Sequence, residues 1–176
     1  DPKATIRDYA RVLSQNFDVD FDLRVARSER KTGNRNAALA YLLKSHGTID
    51  GNVARLLDAY CHQCALTMSC VDLCRAFLPL ANHGVSPILQ ETVLTPAQAK
   101  RINSLMLTCG MYDSSGNFAY RVGLPAKSGV GGGIVAVMPG EFVLTVWSPE
   151  LDRSGNSLVG VQALQLFTQI TGRSVF

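Results

Sequence analysis

Cysteines, glycines and one serine–lysine spacing are the features of this sequence whose types could do chemistry. Cys61-His62-Gln63-Cys64 is a CxxC pair, with Cys70 and Cys74 close behind. Four thiolates meeting from loops would hold zinc, and a CxxC pair can exchange electrons. The same cysteines recur along the apolar stripes of helices, where a thiol serves as a small hydrophobe. The structural reading is preferred, and no metal or cofactor is expected. Gly129-Val130-Gly131-Gly132-Gly133 lacks the Gly-Lys-Ser/Thr ending of a phosphate loop, and a strand follows it rather than a helix. The run allows close approach of a backbone to a ligand or to a packed neighbour. Ser28-x-x-Lys31 sets a hydroxyl and an amine one helical turn apart, as a lysine-tuned nucleophile requires. Such a serine should open a buried helix, whereas Thr32-Gly33-Asn34 ends one, so Ser28 is rejected as a nucleophile. His46 and His83 stand beside glycines at helix ends and His62 on a solvated face, which gives no Ser-His-Asp triad.

The elements that must position these residues fall into two textures. Apolar residues recur at helical spacing from Ile6 to Phe17, over Phe21 to Arg30, and over Asn36 to Lys44. A fourth helix starts near Asn52 with the stripe Val53, Leu57, Tyr60, Cys61, Cys64 and Met68. A fifth carries Val71, Cys74, Phe77 and Leu78 and closes at Asn82-His83-Gly84. Ser86 to Leu94 reads as a connector. Thr95-Pro96 opens a sixth helix, and Asp113 to Gly116 reads as a turn. Beyond Leu124 the pattern is β-rich, with a hairpin at Pro139-Gly140 between Ile134–Met138 and Glu141–Trp147. A helix over Ser157 to Thr171 and a short strand at Ser174-Val175-Phe176 close the sequence. We expect a helical domain over residues 1–93 and an α+β domain over 94–176.

The bulk composition bounds the partners. Of 176 residues, 47% are hydrophobic and 18% charged, which suits a folded chain with a buried core. The net charge of +3 comes from scattered residues with no basic stripe, so no nucleic-acid partner is expected. No apolar run is long enough to span a bilayer, and no targeting segment is visible. Five cysteines, an odd number, argue against a disulfide framework and for a reducing, cytoplasmic compartment.

Longer motifs carry a resemblance. Gly110-Met-Tyr-Asp113, the run Gly116-x-Phe-Ala-Tyr-Arg-Val-Gly-Leu-Pro-Ala-Lys-Ser-Gly-Val-Gly-Gly-Gly-Ile134, and Ser28-Glu29 followed by Thr32-Gly33-Asn34-Arg35-Asn36 resemble the serine-dependent glutaminases. Trp147-Ser-Pro149 with Gly155-Asn156-Ser157 is similar too. Lys127-Ser128-Gly129 resembles the third motif of the penicillin-recognising serine acyl-enzymes. The resemblance implies a serine β-lactamase/penicillin-binding-like α+β domain, represented by a C-terminal part with an incomplete sheet, plus an all-helical domain. It implies hydrolysis of L-glutamine to L-glutamate and ammonia, and a homo-oligomer, dimer or tetramer, in the full-length protein.

Five positions match the family's site. Glu29, Asn36 and Tyr60 match substrate contacts. Tyr112 matches the tyrosine beside the nucleophile, and Val130 the residue whose backbone N–H closes the oxyanion hole. Taken without the match, Glu29 reads as a surface helix residue, Asn36 as a helix cap, Tyr60 as core, and Tyr112 as undecided. The chemistry suits the match: Glu29 offers an α-ammonium its charge, and Asn36 and Tyr60 offer a carboxylate neutral donors. Tyr112 can relay a proton, and the Val130 N–H can stabilise an oxyanion. The family's Ser-x-x-Lys lies upstream of the Glu29 motif, so this stretch is expected to lack the nucleophile and to be inactive alone. A non-catalytic amino-acid-binding or oligomerisation module is the alternative.

Overall fold

A computed structural model describes residues 1–176 as two compact units, Asp1–Met68 and Ser69–Phe176. The first unit holds α1 (Pro2–Ser14), β1 (Asp20–Phe21), α2 (Leu23–Thr32), α3 (Asn34–Ser45), α4 (Val53–Cys64) and β2 (Leu66–Thr67). Helix α2 begins at Leu23, later than the expected Phe21, because the Asp22 carboxylate accepts from the amides of Arg24 and Val25 and caps it. Phe21 instead pairs with Leu66, and Asp20 with Thr67. The Asp22 amide extends this ladder to Ala65 O at 2.8 Å. Asn52 caps α4, its side chain accepting from the Arg55 amide, but the helix ends at Cys64, so Met68 lies off its stripe. Ala26, Ala40, Val53, Ala59, Cys61 and Ala65 are buried in this unit. Side chains this small let helix backbones approach closely.

The second unit runs α5 (Cys70–Ala81), β3 (Val85–Ser86), β4 (Glu91–Thr92), α6 (Pro96–Cys109), α7 (Ser115–Arg121), β5 (Ala126–Ser128), β6 (Gly133–Met138), β7 (Phe142–Trp147) and α8 (Leu158–Thr171). Reciprocal capping boxes open α5 (Ser69 with Asp72) and α6 (Thr95 with Gln98). The sheet order is β5-β6-β7, antiparallel throughout, with the hairpin where Pro139-Gly140 predicts it. Strand β6 alternates between two buried faces. Ile134 and Ala136 join Met111, Phe118, Val122, Leu124 and Leu164. Val135 and Val137 join Leu80, Ala81, Ala99, Met106 and Val143. A strand buried on both faces reads as a continuous apolar run, as Gly133–Met138 does. The architecture is α+β.

Several expectations differ from this structure. The units divide after Met68 and not after residue 93, because α5, helical by pattern, packs on the sheet through Leu80 and Ala81. The connector at 86–94 contains the β3–β4 hairpin, with Val85 opposite Thr92. The turn read at Asp113–Gly116 is a 3₁₀ turn, Tyr112–Ser114, running into α7. Ser115 Oγ accepts from Met111 N and donates to Tyr112 O, and buried Phe118 and Val122, four apart, anchor the helix that follows. No strand forms at 174–176. Gly172, at φ +66°, ends α8, and the Val175 N–H and the Ser174 hydroxyl reach back to Gly123 O without forming a ladder.

Candidate active site

Two groups of the expected residues have a geometry that can be described, one in each unit. In the first, Glu29 near the end of α2 and Asn36 in the first turn of α3 line one recess of about 180 Å³. Arg30, Gly33, Asn34, Ala37, Ala54, Leu57 and Cys61 complete it. Gly33 makes the bend possible, since a Cβ there would lie 2.8 Å from the Glu29 carbonyl oxygen. Both Glu29 and Asn36 are half-buried. Asn36 is not a cap: Gly33 holds the N-cap position of α3. Tyr60 lies on α4 beside the lining residue Cys61 but does not line the recess, and at 43% exposed it is not the core residue its place on the apolar stripe suggests.

The charges behind this recess centre on Asp58 of α4. Its carboxylate accepts from Lys3 Nζ at 2.9 Å and from Arg30 at 3.3 Å, with His62 Nδ1 at 3.7 Å. The bonded Lys3 ammonium, helped by the charges of His62 and Arg30, holds the Asp58 carboxyl below its ordinary range. His62 is not on a solvated face. Its ring packs edge-on against Phe21 at 5.3 Å, and its Nδ1 lies 2.7 Å from Asp58 O.

In the second unit, Tyr112 opens the 3₁₀ turn with φ +51°, a left-handed conformation uncommon for so bulky a side chain. Its hydroxyl reaches Ser128 O at 3.4 Å, and Lys127 Nζ bonds the same carbonyl. That ammonium also lies 4.8 Å from the Tyr112 ring centroid, a cation–π distance. Val130 stands at the tip of the β5–β6 connection and is exposed. The tip is closed by Gly132 N to Gly129 O and Gly129 N to Gly133 O, and the Val130 N–H enters neither bond. Gly132 has φ +92°, and a Cβ there would stand 2.2 Å from Ser148 O, so a glycine is needed to keep the tip folded.

The two residues have a neighbour in common. A Cβ on Gly155 would lie 3.7 Å from Tyr112 Cε2 and 3.7 Å from Val130 Cγ1. The loop Asp152–Ser157 is thus set against both. No three His, Cys, Asp or Glu side chains gather into a metal-binding group. Cys61 is buried while Cys64 and Cys109 are exposed, and no disulfide joins any of the five. No helix is long and apolar enough to cross a membrane.

The family model for glutaminase matches residues 1–176. This chain belongs to the glutaminase family. It is 54% identical over 175 residues to a glutaminase of Photorhabdus laumondii, covering 99% of this chain and 57% of that protein. A Vibrio cholerae glutaminase is 53% identical with the same coverage. Among solved structures, a Bacillus subtilis glutaminase in covalent complex with 5-oxo-L-norleucine, formed from 6-diazo-5-oxo-L-norleucine, matches with a TM-score of 0.90. It is 38% identical, over 97% of this chain and 60% of that one. The chain spans about 57% of the length of the curated glutaminases it matches. Seen beside this membership, the Gly155-Asn156-Ser157 motif gains a place in the structure that the sequence alone did not assign, against Tyr112. Lys127 and Ser128 do likewise. Their membership in the matched motifs was the available signal, and the contact with Tyr112 was not.

Proposed function

We propose that this chain is part of an enzyme that hydrolyses L-glutamine to L-glutamate and ammonia through a serine acyl-enzyme, on a β-lactamase-like scaffold. Glu29 offers its carboxylate to the substrate ammonium, and Asn36 and Tyr60 offer neutral donors to the α-carboxylate. The nucleophilic serine lies outside these residues. Its oxygen attacks the side-chain amide carbon, and the Val130 N–H stabilises the oxyanion that forms. One such donor is worth about 3 kcal/mol. Tyr112 carries the serine's proton to the departing ammonia. Water then releases glutamate from the acyl-enzyme and restores the serine. A soluble, cytoplasmic homo-oligomer, dimer or tetramer, belongs to the same reading.

The observation that most supports this reading is the Val130 amide, left out of its hairpin's hydrogen bonds on a tip that shares the Gly155 neighbour with Tyr112. Ammonia release is the test. The 176-residue chain is expected to release none from glutamine, and the full-length protein to release it. Turnover by the chain alone would overturn the placing of the nucleophile; an inert full-length protein would overturn the activity.

A further inference from the structure

A tyrosine at φ +51° persists only where its surroundings over-determine it. Both carbonyls that flank Tyr112 are held. Ser115 Oγ donates to the Tyr112 carbonyl at 2.9 Å, from the start of the helix that follows. The carbonyl before it, Met111 O, accepts from Asn156 Nδ2 at 3.3 Å, a side chain 45 residues away in sequence. Asn156 is fully buried. Its backbone is locked to Asp152, with N donating to Asp152 Oδ1 at 2.9 Å and O accepting from Asp152 N at 2.7 Å. Its Oδ1 has no protein partner, so the Nδ2 bond is what the side chain contributes.

The same loop grips the tyrosine turn twice more. Gly155, at φ +91°, lies against the Tyr112 ring, and Ser154 Oγ bonds Ser114 Oγ at 2.8 Å. The grips fall before Tyr112, on its ring, and two residues after it. We propose that Asn156 is a positioning residue, whose buried amide sets the Met111–Tyr112 peptide and with it the direction of the phenol. Its kinetic consequence rests on Tyr112 acting as the proton relay proposed above; its structural consequence does not.

Asn156→Asp keeps the volume and turns the donor into an acceptor facing the Met111 carbonyl. In the 176-residue chain labelled with ¹³C-tyrosine, the Tyr112 Cζ resonance, assigned through Tyr112→Phe, is expected to move. Those of Tyr9, Tyr41, Tyr60 and Tyr120 should stay. An unmoved Tyr112 resonance in the folded variant overturns the proposal. Should Asn156→Asp not fold, Asn156→Ala removes the same donor without adding an acceptor, and there too an unmoved Tyr112 resonance overturns it. In the full-length enzyme, Asn156→Asp is expected to lower kcat about 10- to 100-fold with KM within about 3-fold of the parent. Added to Tyr112→Phe, it should lower kcat no further, and a multiplicative loss would show that Asn156 does not act through the tyrosine. If Tyr112→Phe alone leaves kcat unchanged, the relay role fails, and the labelled chain still decides on Asn156.

Discussion

Gly110 ends α6 with ordinary helical angles, φ −74° and ψ −18°, so any residue could adopt its backbone. Space is what forbids a side chain. A Cβ would lie 1.8 Å from Ala126 O, 2.5 Å from Met106 O and 3.0 Å from Ala126 C, where ordinary contact starts at 3.4 Å. Gly110→Ala must therefore part the end of α6 from β5 by more than an ångström. The bond from Ser128 N to Gly110 O, 3.1 Å long, spans that gap. Overpacking costs about 1–3 kcal/mol, and a buried backbone group left open about 1–3 kcal/mol. Together the loss should be about 2–6 kcal/mol. At about 2–4 °C per kcal/mol for a chain of this size, Tm should fall by about 4–24 °C. The single tryptophan, Trp147, sits in the same unit and reports a urea melt by fluorescence. The midpoint should fall with the slope unchanged. Gly116→Ala is the control: it lies in α7 with nothing within 4 Å of its Cβ, and should gain about 0.4–1 kcal/mol. A Gly110→Ala cost below about 1 kcal/mol would refute the close approach of α6 and β5.

In the full-length enzyme, Tyr112→Phe should mainly lower kcat and Glu29→Gln mainly raise KM; steady-state kinetics unaltered in both would remove their roles. The Asp58 carboxyl is held below its ordinary value of 3.8, first by Lys3, so its pairing contributes at neutral pH and is lost as the pH falls through the depressed folded value. Asp58→Asn should lower the unfolding free energy at pH 7, read from a urea melt, by about 1 kcal/mol or less, and the gap should close in acid; a gap that persists there contradicts the assignment. Alkylation of the native chain should reach Cys64 and Cys109 first, since both are exposed. Cys61 should react last, because burial, and then the neighbouring Cys64, push its thiol up; mass spectrometry showing Cys61 modified early would contradict its burial.

Much of this fold was legible because local chemistry decided it. Thr95-Pro96 with Gln98 makes a capping box, Asn52 caps α4, and Pro139-Gly140 turns a hairpin between two β-rich runs. What was hidden depends on partners distant in sequence. Phe21 left its helix because Leu66 pairs with it, and α5 joined the sheet unit because Val135, Val137 and Val143 cover it. The helix at 115–121 was masked by serine and glycine, which read as a turn until Ser115 is seen satisfying the Met111 amide. At the site, motif similarity named Glu29, Asn36, Tyr60, Tyr112 and Val130. No pattern in one sequence reveals that Asn156 meets the Met111 carbonyl, because that bond joins two loops through the folded core.

The short ladder between β1 and β2 has an architectural consequence. It brings Phe21 and Leu66 side by side, so the path from Asp22 to Ala65 leaves the chain and rejoins it at one spot. Such a segment is a cassette. It can be lengthened or rebuilt without rerouting what lies on either side, and its closure entropy grows only with the logarithm of its length. Glu29, Asn36 and Tyr60, proposed to hold the amino-acid end of the substrate, all lie inside it, whereas Tyr112 and Val130 lie outside. On that proposal, selectivity and reaction chemistry are written into separable stretches of chain, and one can be redrawn while the other is kept.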